Sequence, residues 1–124
     1  MAPLSIKSLQ HKGFPFQIGG KLWIECEGEK FFGPGPVELL ERIDETGSIN
    51  KAAKEMGLSY KKAWEILDFA NKTTAVRLVI TKSGGKEGGG TIITDEAKKL
   101  IVYHNGLRKR FEQFLKNETR RINK

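Results

Sequence analysis

The residues with the most evident chemical potential lie in one short run near position 60. Lysine and serine side chains donate hydrogen bonds to phosphate oxygens, and polar or aromatic groups in the first turn of a helix reach base edges. Taken alone, this run is typical of solvated surface lysines; together with the helix pair before it and the basic wing after it, it is assigned to double-stranded DNA contact. The assigned residues are Ser59, Tyr60, Lys61, Lys62, Trp64 and Glu65.

Other chemistries find little support. Cys26 is the single cysteine, and the two histidines, His11 and His104, are far apart, so neither a disulfide nor a metal-ligand spacing is expected. The glycine-rich stretch 84–90 lacks the lysine and following helix of a phosphate-binding loop. We expect no enzyme activity, no cofactor and no metal.

The net charge of the chain indicates which class of binding partner to expect. The 22 basic and 15 acidic side chains of the 124 residues give a net charge of +7, which favours a polyanionic partner. Residues 1–58 carry −1, residues 59–107 carry +3 and residues 108–124 carry +5. We therefore expect the nucleic-acid face after residue 58. No apolar run is long enough for a bilayer and no secretory signal is evident, so we expect a cytoplasmic protein without a membrane partner.

Hydrophobic spacing predicts the elements that position this run. Apolar and polar residues alternate in 20–32, which predicts a β-hairpin in which Trp23 packs or joins a dimer surface. Residues 36–72 predict three helices, with Ser48 and Ser59 as N-caps of the second and third. Two short helices across a glycine-containing turn are typical of a helix-turn-helix. Ser48 joins the predicted DNA contacts.

The second half predicts a two-stranded wing and a long helix. Residues 76–94 form strands around the glycine-rich tip, which brings Lys82 and Lys86 to DNA or is an ordinary loose loop. Residues 95–118 predict a helix followed by a frayed tail. Its apolar stripe is assigned to a homodimer interface, within which His104 packs. The stripe consists of Leu100, Tyr103, Leu107, Phe111 and Phe114.

The predicted fold class is α+β: one winged helix-turn-helix domain over residues 1–124, with an extra N-terminal hairpin and a C-terminal dimerisation helix. Trp64 flanks the buried stripe of the third helix, so packing in the core competes with DNA contact for this residue.

One sequence run carries a family resemblance. Residues 45–64, ETGSINKAAKEMGLSYKKAW, followed by GGKEGGGTIIT at 84–94, resemble the N-terminal DNA-binding domain of the ModE family of molybdate-responsive regulators. The resemblance covers roughly residues 33–115. The Thr-Gly-Ser-Ile segment and the paired alanines also occur in LysR-type helix-turn-helix domains.

The resemblance implies a homodimeric winged-helix regulator. The helix that begins at Ser59 is expected in the major groove, and the loop around Lys86 against the minor groove or the backbone. Family members carry molybdate-binding domains after this one, and the sequence stops at Lys124. We therefore expect no molybdate site within this chain. Two alternatives stay open: a winged-helix protein-interaction module and a non-specific architectural DNA-binding protein.

Overall fold

The computed structural model describes residues 6–82 and 90–124, and it is a mixed α/β structure. Contacts divide it into two compact units. The first, called here the arm unit, comprises residues 1–22 and 105–124; the second, the helix-turn-helix unit, comprises residues 23–104. The elements in chain order are a 3-10 turn at Lys7–Leu9, β1 Ile24–Cys26, β2 Glu29–Phe32, α1 Pro34–Thr46, α2 Ile49–Glu55, α3 Tyr60–Thr73, β3 Val79–Thr81, β4 Thr91–Ile93 and α4 Asp95–Ile122.

The predicted N-terminal hairpin is confirmed as β1 and β2, which pair antiparallel with Glu25 opposite Lys30. Its turn lies at Glu27 and Gly28. Both residues have positive φ, 51° and 81°. Two-residue hairpin turns of this type require positive φ at both central positions, and a glycine supplies it without steric cost.

Helices α1 to α3 match the predicted three-helix segment. Helix α1 begins two residues earlier than predicted, at Pro34, and ends at Gly47, whose left-handed backbone (φ 69°) lets its N–H donate to the carbonyl of Ile43 at 2.7 Å. Ser48 and Ser59 are the N-caps, as predicted: their hydroxyl oxygens accept hydrogen bonds from the N–H groups of Lys51 and Lys62.

The core of the helix-turn-helix unit is built from one face of each element. Small alanines allow α2 and α3 to pack closely, and the predicted stripe of α3 is buried. Helix α3 contributes Ala63, Leu67 and Ala70, and other elements contribute Phe32, Leu39, Leu40, Ile43, Ala52, Ala53, Leu78, Val79, Ile93 and Ala97.

His104 also belongs to this core, contrary to the expectation that it packs in a dimer interface. It is 2% exposed, and its ring meets Phe32 edge-on with 5.7 Å between centroids. The imidazole therefore fills space between α4 and the hairpin within one chain.

Strands β3 and β4 pair antiparallel, with Ile80 opposite Ile92. The first strand begins at Val79 rather than near Val76, because the N–H of Leu78 donates to the side chain of Asn71 at 2.8 Å instead of to the opposite strand. The predicted tip of this hairpin, including Lys86, lies outside the described residues.

In the arm unit, residues 6–22 lie along the second half of α4. The N–H of Ile18 donates to the hydroxyl of Thr119 at 3.0 Å, and the amide of Asn123 donates to the carbonyl of Phe16 at 2.9 Å. The predicted end at 118 and the frayed tail are wrong: α4 continues to Ile122, because this segment anchors its last turn. No helix in the described part of the chain is long and apolar enough to cross a membrane.

Candidate nucleic-acid interface

The first turn of α3 has one buried face and one exposed face. Ala63 is fully buried, whereas Tyr60 is 51% exposed and the side chains of Lys61, Lys62 and Glu65 are in solvent. A helix whose first turn projects cations and an aromatic ring has the geometry by which recognition helices enter a major groove.

Ser59 can cap the helix and contact a ligand at the same time. Its oxygen accepts the N–H of Lys62 at 3.0 Å. A hydroxyl has one donor hydrogen besides its acceptor lone pairs. Because the cap uses only a lone pair, the O–H of this exposed residue can donate to a phosphate oxygen.

A cleft of about 370 Å³ opens where α2, α3 and the β3–β4 hairpin meet. It brings together four of the residues predicted to contact DNA, which are Ser48, Tyr60, Trp64 and Lys82. Other lining residues carry no local sequence signal, because they come from different elements and only the fold brings them together. These are Ile49, Asn50, Thr81, Gly90 and Thr91.

Trp64 packs against the core and also lines the cleft. It is half-buried and packs against the core, and its ring meets the ring of Tyr60 edge-on at 6.2 Å. It also forms part of the cleft wall. Trp64 therefore supports the exposed Tyr60 ring from the core side.

The base of the β3–β4 hairpin is fixed to the turn between α1 and α2. The N–H of Thr91 donates to the carbonyl of Gly47 at 2.9 Å, and the N–H of Lys82 donates to the carbonyl of Gly90 at 2.8 Å. Thr91 is only 8% exposed. These bonds hold Lys82 at the edge of the cleft.

Cations at the two ends of α3 differ in their pairing. Lys72, in the last turn, lies 2.9 Å from Asp68, and the hydrogen bond and charge of that carboxylate raise the lysine pKa. By contrast, neither Lys61 nor Lys62 forms an ion pair with a carboxylate of the described residues. The first turn therefore keeps its positive charge available for an anionic ligand.

Lys62 and Glu65 face a different depression from Tyr60 and Trp64. A second cleft, of about 220 Å³, lies between α3 and the N-terminal hairpin. Lys62 and Lys30 both border it. The predicted contact residues are thus spread over the exposed side of α3, and Lys61 lines neither cleft. The full lining is Lys30, Phe31, Pro36, Lys62, Glu65, Ile66 and Phe69.

The predicted dimer stripe on α4 is covered unevenly. In the helix-turn-helix unit, Leu100 packs against the core while Tyr103 is 58% exposed. In the arm unit, Phe111 and Phe114 stack with 6.4 Å between centroids, and Phe114 is 53% exposed. Leu107 is half-buried. Tyr103 and Phe114 therefore retain the most accessible apolar surface.

Within residues 6–82 and 90–124, no group of three or more histidine, cysteine, aspartate or glutamate side chains is arranged to hold a metal ion.

Two helices joined by a short turn, followed by a two-stranded hairpin, are compatible with a winged-helix protein. Comparison with known proteins gives relatives for this arrangement. The chain is 38% identical over 87 residues to the molybdenum transport protein ModE of Azotobacter vinelandii, covering 70% of this chain and 32% of that protein. It is 40% identical over 84 residues to the transcriptional regulator ModE of Haemophilus influenzae, covering 68% of this chain and 33% of that protein.

A third relative is the DNA-binding transcriptional dual regulator ModE of Escherichia coli K12. It is 36% identical over 84 residues, which is 68% of this chain and 32% of the relative. The resemblance predicted from the sequence is thus confirmed: the chain contains a region homologous to ModE-family regulators. The matches span about a third of the length of each relative. No family model matches the chain.

Proposed function

We propose that this chain is a non-enzymatic, cytoplasmic transcriptional regulator that binds double-stranded DNA sequence-specifically as a homodimer. In this proposal the chain is a winged helix-turn-helix in which α3 lies in the major groove and the β3–β4 hairpin contacts the backbone or minor groove. The observation that carries the proposal is the exposed first turn of α3, with its uncompensated Lys61 and Lys62, beside a cleft that also contains Ser48 and Lys82.

Each group at this surface has a distinct role in the proposal. Lys61, Lys62 and Lys82 bind phosphates, and the hydroxyls of Ser48 and Ser59 donate to the same backbone. Tyr60, supported by Trp64, contacts base edges or the thymine methyl group. Glu65 can accept from a cytosine amino group. Lys86 is assigned to the backbone from the sequence alone.

The exposed aromatic surface of α4 supports the proposed homodimer. Tyr103 and Phe114 are more than half exposed, and Leu107 and Phe111 lie on the same helical stripe. A twofold-symmetric protein recognises a palindromic site, because each half-site receives one recognition helix. Leu100 is partly buried against the core, so only its exposed part contributes to the proposed interface.

The decisive experiment selects bound fragments from a random duplex pool, with and without molybdate. We expect one enriched palindromic sequence. Equal recovery of all duplexes would reject sequence-specific regulation and favour an architectural role. Enrichment only in the arm with molybdate would show that DNA binding by this chain responds to molybdate.

The N-terminal hairpin favours protein interaction as a second candidate function. Lys30 lies 4.0 Å from the centroid of the Trp23 ring, whose indole N–H donates to Glu25 at 2.9 Å. Trp23 is 38% exposed. An ordered, partly exposed tryptophan is a common anchor in protein interfaces. Loss of a copurifying partner on Trp23→Ala, with DNA binding unchanged, would support this function.

A further inference from the structure

The positive charge of the chain is concentrated in the arm unit rather than in the unit that carries α3. Residues 1–22 and 105–124 hold ten basic and two acidic side chains, a net charge of +8. Residues 23–104 hold twelve basic and thirteen acidic side chains, a net charge of −1. Net charges of consecutive sequence segments do not show this division, because the N-terminal segment and the second half of α4 meet only in the folded chain.

The cations of the second half of α4 include a row on one helical face. Lys109, Lys116 and Arg120 are separated by seven and four residues, which places them on the same side of an α-helix. All three are exposed, and none forms an ion pair with a carboxylate of the described residues. Lys116 is two residues from Phe114, about 200° around the helix. This row is therefore on the side opposite the proposed dimer stripe.

A groove lies beside two members of this row, Lys116 and Arg120. Residues 17–20 and α4 enclose a volume of about 510 Å³, and Lys116 and Arg120 line it. The bond from the N–H of Ile18 to Thr119 fixes the segment beside the helix. One carboxylate, Glu112, also lines the groove, and it lies 3.9 Å from Arg108. Lys116 and Arg120 thus line the groove without an ion pair to a carboxylate of the described residues.

We infer that the arm unit is a second DNA-binding surface, which holds the sugar-phosphate backbone of duplex flanking the recognition site through Lys109, Lys116 and Arg120. This inference rests on the proposed function. Charge complementarity selects the partner, because a surface of +8 with two acidic residues matches the regular phosphate charge of a duplex. The contact is independent of sequence, since exposed lysine and arginine side chains on phosphates read no base edges.

The test uses the double variant Lys116→Ala/Arg120→Ala in the full chain. Both positions are exposed in a helix, where alanine is well tolerated. A matched control, Lys98→Ala/Lys99→Ala, removes the same charge from exposed positions of α4 in the other unit. Circular dichroism verifies folding. Fluorescence anisotropy then gives the dependence of log K on log salt for two duplexes, one trimmed to the selected site and one extended by about one helical turn at each end.

On the extended duplex, we expect the double variant to lower the magnitude of the salt slope by about 2, which corresponds to two lost phosphate contacts. The control should leave the slope within about 0.5 of wild type. Wild type should prefer the extended duplex over the trimmed one, and the variant should lose this preference while its discrimination between selected and scrambled sequence is unchanged.

An unchanged slope in the folded variant would overturn the inference, as would an equal loss in the control, which would indicate net charge rather than a local surface. The inference would also be overturned if the double variant bound phosphatidylglycerol vesicles more weakly than wild type while its DNA salt slope was unchanged. That result would indicate a lipid-binding surface. If the random pool yields no preferred sequence, the proposed specific regulator fails. The slope comparison on an arbitrary duplex still tests the arm unit separately.

Discussion

The backbone N–H of Thr91 donates to the carbonyl of Gly47 at 2.9 Å, which joins the second strand of the β3–β4 hairpin to the turn between α1 and α2. Gly47 presents this carbonyl because its left-handed backbone ends α1 there. Ser48, the next residue, caps α2 and lines the same cleft as Thr91. A single turn therefore ends one helix, begins the next and fixes the base of the hairpin.

Replacing Gly47 by alanine should destabilise the protein. A residue with a Cβ at φ 69° is strained, so we expect a loss of about 1 kcal/mol in the free energy of unfolding. Gly35→Ala is the matched control: it lies in the first turn of α1, and a Cβ there meets no atom within 4 Å. Urea titration should show the control as stable as wild type or slightly more so. Equal effects would contradict the assigned role of the left-handed turn.

The predictable part of the fold is the part encoded locally. Ser48 and Ser59 are predictable as caps because a serine before an apolar-periodic run is a local signal, and the buried stripe of α3 is predictable because helical spacing fixes a shared face. These features need no knowledge of distant residues.

Features that depend on distant segments were missed. Asn50 and Thr81 reach one cleft from α2 and β3, and the end of α4 at Ile122 depends on contacts from residues 16–18. His104 was assigned to an interface because its partner, Phe32, is far away in the sequence. Tertiary contact, which no window of sequence contains, determined each of these outcomes.

Ser59 allows stability and DNA binding to be separated. Ser59→Ala removes the cap that accepts the N–H of Lys62, so we expect a loss of about 1 kcal/mol in unfolding free energy. Ser59→Asp keeps a capping oxygen but places a negative charge beside Lys62, so stability should be near wild type while DNA affinity falls. Ser59→Asn, a neutral cap, is the control.

Chemical denaturation and anisotropy on the selected duplex measure the two quantities for these three variants. If the aspartate variant binds DNA as tightly as the asparagine variant, the first turn of α3 does not face the phosphate backbone.

Lys62→Ala should weaken DNA binding and lower the magnitude of the salt slope by about 0.9, the contribution of one phosphate contact. Lys72→Ala removes the same charge from the same helix, but this lysine is engaged with Asp68 at 2.9 Å in the last turn. We therefore expect the control slope to match wild type. Titrations between about 50 and 200 mM salt provide the comparison, and identical slopes for both variants would remove Lys62 from the interface.

Phe114→Ser should weaken the homodimer. The ring is 53% exposed in one chain and stacks on Phe111, so its exposed part is available to pack against a second chain. Val102→Ser is the control. This side chain is 70% exposed on the same helix, and because it is two residues from Leu100 it lies outside the stripe, on another side of the helix.

Sedimentation at tens of micromolar should give a dimer for wild type and for Val102→Ser, and a raised monomer fraction for Phe114→Ser. Affinity for a single half-site should then be unaffected, whereas affinity for the palindrome should fall, since only the paired chains bind two half-sites at once. A wild-type monomer under these conditions would refute the dimer. An equal shift in both variants would indicate that general apolar exposure, rather than the stripe, governs association.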